Sequence, residues 1–145
     1  MPPFILKLTN NKFSSPSIIY AGGSWASVSG IKSLSINSWY YFIVTYVPGY
    51  IKTYINGELD ASVVKTGSLA GGGKLIIGGW SSGSALPDRE FFKGLIDDVR
   101  IYDKALSLSE IKQEYVAGLD SLYSKGLISK EEYNKKIESL AFEGS

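Results

Sequence analysis

Trp39-Tyr40-Tyr41-Phe42-Ile43-Val44-Thr45-Tyr46-Val47-Pro48-Gly49-Tyr50-Ile51-Lys52-Thr53-Tyr54-Ile55-Asn56-Gly57-Glu58 is the stretch on which the fold turns. From Trp39 to Val47 it is almost continuously aromatic and β-branched, which suits a central strand covered on both faces. Pro48-Gly49 then forces a turn. Between Tyr50 and Ile55 the residues alternate, with Ile51, Thr53 and Ile55 on one face and Tyr50, Lys52 and Tyr54 on the other. Asn56-Gly57 is the preferred pair for a type I′ hairpin turn, whose two central residues both need positive φ. The pattern predicts that Glu58 to Val64 returns as the partner strand.

Outward from this hairpin, Lys74–Gly78 reads as a short strand and Phe91–Tyr102 as a long one. Phe4–Leu8, Ser17–Ala21 and Ser33–Ile36 are weaker strands. Many short strands separated by turns predict an antiparallel sandwich. The competing reading is a small open sheet with one helix on its face. Beyond residue 106 the pattern changes to helix. Ser107-Leu108-Ser109-Glu110 is a capping box, and Ile111, Tyr115, Leu119 and Leu122 follow at helical spacing. Gly126 marks a stop. Ser129-Lys130-Glu131-Glu132 is a second capping box, with Tyr133, Ile137 and Leu140 behind it. Gly118 inside the first helix marks a candidate break. The expected architecture is a mainly β antiparallel jelly-roll sandwich over residues 1–106, followed by a helical tail with a hairpin over residues 107–145.

Composition narrows the chemistry. The 145 residues hold 15 Lys+Arg against 14 Asp+Glu, a formal charge of +1, so no broad field recruits nucleic acid. The chain has no Cys and no His, which removes disulfides, thiolate nucleophiles, the commonest general base and the usual zinc ligands. No apolar run reaches the roughly 20 residues of a bilayer span. Charge is uneven: residues 1–57 carry four lysines and no carboxylate, and residues 103–145 carry eight acids and six lysines. Met1 to Lys7 lacks the basic head and apolar core of an export signal.

Residues 39–115 resemble the laminin-G-like group of concanavalin A-like jelly rolls. The resemblance rests on Trp39, on Thr45-Tyr46, on Tyr54-Ile55-Asn56-Gly57-Glu58-Leu59, on Lys74-Leu75-Ile76-Ile77-Gly78-Gly79, and above all on the run from Phe92 to Ser107 followed by Glu110-Ile111. It implies two facing antiparallel sheets and a module that binds sugars or protein surfaces and seldom does chemistry. Only 38 residues precede Trp39, fewer than in that family. The expectation is a sandwich lacking one or two strands, as a fragment, a compact variant or a subunit completed by a neighbouring chain. Residues 119–140 are similar to the short C-terminal helical hairpin (SHOCT-like) of many prokaryotic proteins, through Leu119, Leu122, Gly126, Ile128, Ser129, Glu131, Glu132, Tyr133, Lys136 and Leu140. That likeness implies oligomerisation or docking.

Three places invite a functional reading. Trp80, with Asp88 and Arg89 in the following loop, forms the candidate ligand site: the ring stacks on a sugar face while the charged groups supply hydrogen bonds. The alternative is a ring folded over the core edge. Asp97-Asp98 reads first as a structural pair bonded by Arg100 or a nearby lysine, and second as a calcium site. Consecutive strand residues face opposite ways, which opposes paired-carboxylate catalysis. Tyr40, Tyr46, Tyr50 and Tyr54 make either an aromatic platform or cross-strand packing. Trp25 and Trp39 read as core, and Gly71-Gly72-Gly73-Lys74 as a turn. No catalytic or metal residue is assigned, and calcium stays open as a cofactor. The expected function is non-catalytic recognition of glycans or glycoproteins at a cell or particle surface. A self-assembling subunit and an ancillary piece of a carbohydrate-active enzyme are the alternatives. The expected location is extracellular, as part of a longer chain, or cytoplasmic if Met1 is the native start.

Overall fold

The computed structural model describes residues 4–5, 12–69, 75–79 and 91–142. Six strands and two helices run in the order β1 (Phe4–Ile5), β2 (Lys12–Ala21), β3 (Ser24–Ser33), β4 (Phe42–Val47), β5 (Gly49–Ile55), β6 (Glu58–Lys65), α1 (Leu108–Ser124) and α2 (Lys130–Phe142). They make two antiparallel three-stranded sheets, β1-β2-β3 and β4-β5-β6. The quoted stretch folds as its alternation predicts. Val44 pairs with Thr53 and Thr45 with Lys52, and β6 closes the sheet through Ile51 opposite Val63. The first sheet holds a strand that the sequence pattern did not single out, Ser24–Ser33. Its signal is Gly22-Gly23, a two-residue turn with φ of 55° and 78°.

The sheets face each other across one apolar cluster. Ala21 and Val28 meet Ile51, with Ala26, Val44, Tyr46, Ala61 and Val63 packed around them. A polar contact fixes the two edges. The β5–β6 register slips between Thr53 and Tyr54, and Asp60 is the extra residue there. Asp60 is only 6% exposed. Its Oδ1 accepts from the Ile31 amide at 3.0 Å and the Lys32 amide at 2.8 Å. One carboxylate oxygen thus takes two successive backbone donors of the edge strand β3. Tyr46 donates from its hydroxyl to the Gly67 carbonyl just beyond β6.

The helices begin and end where their caps dictate. Ser107 accepts from the Glu110 amide while the Glu110 carboxylate accepts from the Ser107 amide, a complete capping box. At the other end the Gly126 amide donates to Tyr123 O and the Leu127 amide to Leu122 O, the paired bonds of a Schellman motif. Ser129 starts α2 by accepting from the Glu132 amide at 3.1 Å. α1 runs unbroken through Gly118, contrary to the expected break, because a single glycine costs only about 1 kcal/mol and tertiary packing offsets it.

The helical pair sits on the second sheet. Tyr115, Leu119 and Ile128 form its buried centre, with Trp39, Tyr41, Leu122, Tyr133, Ile137 and Leu140 around them. The β5–β6 turn supplies the contact point. Asn56 and Gly57 take φ of 54° and 83°, so both occupy the left-handed region that a type I′ turn requires. A Cβ on Gly57 would stand 3.3 Å from both Tyr115 and Leu140. Asn56 also holds the segment before β4, accepting from the Tyr41 amide at 2.9 Å and donating its own amide to Tyr41 O at 2.8 Å.

Three expected strands are not formed among the described residues. Residues 34–36, 75–78 and 91–102 lie outside the sheets, and the Phe92 amide bonds Gly78 O at 2.8 Å. In the last of these a turn interrupts the run. Asp98 turns to φ 54°, and Asp97 Oδ1 accepts from the Asp98 amide at 2.9 Å, which breaks an extended run. Residues 97–104 instead lie along α1 in the opposite sense. Lys125 donates to Asp97, Arg100 pairs with Glu114, and Lys104 donates to Glu110. Trp39 packs in the helical cluster as expected, whereas Trp25 is 38% exposed and not a core residue. Gly71-Gly72-Gly73-Lys74 lies outside the described residues.

Asp60→Ala should destabilise the protein by about 2–4 kcal/mol in urea unfolding, because it removes the acceptor of two edge-strand amides. Gly118→Ala should stabilise it by up to about 1 kcal/mol, since the new Cβ meets Tyr41 at an ordinary 3.5 Å. A neutral Asp60→Ala would remove that carboxylate from the contact between sheets.

The caps also set a pH profile. Lys104, and then the Ser107 amide and hydroxyl, hold the Glu110 carboxyl down at about 2. A depressed carboxyl contributes in full above about pH 5 and loses its contribution as pH falls toward its folded value. Burial, aided by Glu114 for Tyr41 and Glu132 for Tyr115, pushes both phenols up to about 12. A raised phenol contributes in full below about pH 10 and loses it as pH rises through the folded value. Helical circular dichroism should therefore hold between these windows and fall outside them. Phenolate absorbance should show a late phase that Tyr115→Phe diminishes; simultaneous ionisation of all tyrosines near their ordinary value would contradict the burial.

Candidate functional site

The outward face of β4-β5-β6 follows from the same alternation that buries Ile51 and Thr53. Thr45 and Val47 on β4 lie opposite Lys52 and Tyr50 on β5, so these four side chains share one face with Tyr54. The chain that leads into α1 crosses in front of this face. Between them lies an open groove of about 670 Å³. Its floor is Thr45, Val47, Tyr50, Lys52 and Tyr54, one wall is Ala105–Leu108 with Lys112, and the other is Gly57–Leu59 with Lys32.

Tyr50 is 51% exposed, so its ring offers a flat apolar plate at the groove mouth. Lys52 Nζ stands 5.9 Å from the centre of that ring. Tyr54 is buried and supplies floor rather than contact area. Thr45 is buried beside it in the floor. The charged groups lining the groove are Lys32, Lys52, Lys112 and Glu58, and Glu58 is ion-paired with Lys32. The groove therefore combines an aromatic surface, hydrogen-bonding groups and cations. Such a combination of groups is the chemistry of ligand-binding clefts.

The four tyrosines proposed as a platform separate. Tyr46 points into the sandwich core. Tyr40 stands before β4, its hydroxyl accepting from the Ser35 amide and its ring under Lys136 at 5.8 Å. Tyr50 and Tyr54 remain on the outer face. Lys52 and Lys112 were not singled out from the sequence. The period-2 pattern already places Lys52 beside Tyr50, but nothing local shows that α1 brings Lys112 to the same groove.

Asp97 and Asp98 follow the structural reading. Arg100 donates to both oxygens of Asp98, at 2.9 and 3.0 Å, and Lys125 donates to Asp97 at 2.7 Å. The Lys125 bond holds the Asp97 carboxyl below its ordinary range. Bonds from Arg100 to Tyr102 and Asp98 raise the guanidinium further. Among the described residues, no three carboxylates gather in a metal-binding group. Trp80, Asp88 and Arg89 lie outside the described residues.

Comparison with known proteins bears on the whole β region. The laminin G family model described as Concanavalin A-like lectin/glucanases superfamily matches residues 3–112. The match begins well before Trp39, where the resemblance in sequence started, and so takes in β1 to β3. Such domains often bind carbohydrate and are generally non-catalytic. No curated protein matches the chain. A similar solved structure is that of residues 221–444 of an S-layer domain-containing protein from Clostridium thermocellum ATCC 27405. Identity is 26% and the TM-score 0.45, over 68% of this chain and 49% of that one, so the chain spans about half of that neighbour. No described helix is long and apolar enough to cross a membrane. With two facing antiparallel sheets and a match over residues 3–112, the chain belongs to the concanavalin A-like lectin/glucanases superfamily, as a laminin-G-like domain followed by two helices.

Proposed function

We propose that this protein is a non-catalytic recognition module that binds glycans or glycoproteins at an extracellular cell or particle surface. The observation that carries the reading is the groove on the outer face of β4-β5-β6, where the half-exposed Tyr50 ring lies beside Lys52. A sugar's CH face stacks on the ring, and its hydroxyls bond the flanking polar groups. The family's habit of carbohydrate binding supports it. So does the state of the acids: Asp97, Asp98, Glu110 and Glu114 are each held by a cation, leaving them poorly placed to act as a glycosidase pair. Residues 1–106 are the recognition unit and residues 107–145 its tail. Trp80, Asp88 and Arg89 belong to the same proposal as further contacts from the loop.

A second reading rests on a different observation. Leu95 is 72% exposed, and Ile96, Val99 and Ile101 beside it are exposed too. An apolar run outside any sheet invites pairing with another chain. The tail's resemblance to short C-terminal helical hairpins points the same way, toward homotypic assembly.

Glycan-array binding by the full chain tests the first reading. Retention of specific glycans, lost in Tyr50→Ala and weakened in Trp80→Ala, is expected, with the fold intact by circular dichroism. No binding, together with a solution mass that grows with concentration and reverts on removing residues 119–145, would favour assembly instead.

A further inference from the structure

Resting on the glycan reading of this groove, we infer that its ligand is acidic: an oligosaccharide whose sugar units carry carboxylates. Three lysines line the groove against one carboxylate, Glu58, and that carboxylate is already paired with Lys32. Lys52 and Lys112 have no carboxylate partner among the described residues. They come from unrelated elements, the central strand β5 and the helix α1, and the fold brings both to one cleft.

Lys112 sits just beyond the first turn of α1, where the helix end favours negative charge and a cation gains nothing from the backbone. Three and four residues either side of it stand Leu108, Ser109, Tyr115 and Val116, so its own helix offers no counter-charge. Lys52 is likewise left with the face of Tyr50. Lys112 packs by Gly57 at one end of β5 and Lys52 lies over Tyr50 at the other, so carboxylates on separate sugar units would neutralise the two cations. The Tyr50 plate beside Lys52 selects a sugar ring as the carrier of that charge, over a compact inorganic anion or an acidic peptide. The site thus needs its helical wall: the sheet supplies the stacking surface and one cation, and α1 supplies the second.

The test is calorimetric titration of the full chain with an oligogalacturonate and with its fully methyl-esterified, neutral form, at low and at high salt. The acidic probe should bind about tenfold more tightly at low salt, and salt should erase most of that advantage. Lys52→Ala/Lys112→Ala should make the variant bind the acidic and the neutral probe equally at low salt, and Lys52→Arg/Lys112→Arg should restore the preference. Equal binding of both probes, lost in Tyr50→Ala, would overturn the acidic preference and leave the glycan reading standing. Binding of neither probe, with glycan arrays also silent, would overturn both. Tight binding of inorganic phosphate or of a poly-glutamate peptide in place of the sugar would overturn the choice of ligand.

Discussion

Asn56 and Gly57 hold the contact on which the arrangement of sheet and helices depends. Two successive left-handed residues close the β5–β6 hairpin. The side chain and amide of Asn56 tie down Tyr41, and the missing side chain of Gly57 lets Tyr115 and Leu140 approach. Each role uses a different property of the pair. A change that kept the turn but added a Cβ at Gly57 would press on both helices. It would also force an L side chain into a backbone region that costs about 1–2 kcal/mol. The groove inherits its shape from this contact, because α1 is one wall and the β5 face is the floor.

Electrostatics decides the path of the chain between sheet and helix. Residues 91–102 have the composition of a strand, and a ladder would satisfy their backbone. Asp97, Arg100 and Lys104 instead find partners at Lys125, Glu114 and Glu110, spaced along α1. Such exposed pairs are individually weak, typically about 0.2–1 kcal/mol, but here three act along one segment. They leave Leu95, Val99 and Ile101 facing outward, the feature behind the assembly reading.

The central hairpin and both helices were legible because their signals are local. Alternation over Tyr50–Ile55, the Asn56-Gly57 pair, the Ser107 and Ser129 caps and the Gly126 stop each act within a few residues. β3 was missed because Ser24–Ser33 is rich in serine, although Gly22-Gly23 announces its turn. The long Phe91–Tyr102 strand was misread because propensity says nothing about distant ion pairs. The site shows the same division. Tyr50, Lys52 and Tyr54 could be placed on one face from period alone. Asp60, which joins the two sheets, and Lys112, which completes the groove, matter only through residues some 30 to 60 positions away.

The docking of the helical pair on the β5–β6 turn is the claim that supports the groove, and nuclear Overhauser contacts test it most directly. The account predicts contacts from the Gly57 α-protons to the Tyr115 ring and the Leu140 methyls, and from Trp39 to the α2 side chains packed beside it. Spectra in which the helices contact each other but neither Gly57 nor Trp39 would contradict it, and with it the helical wall of the site.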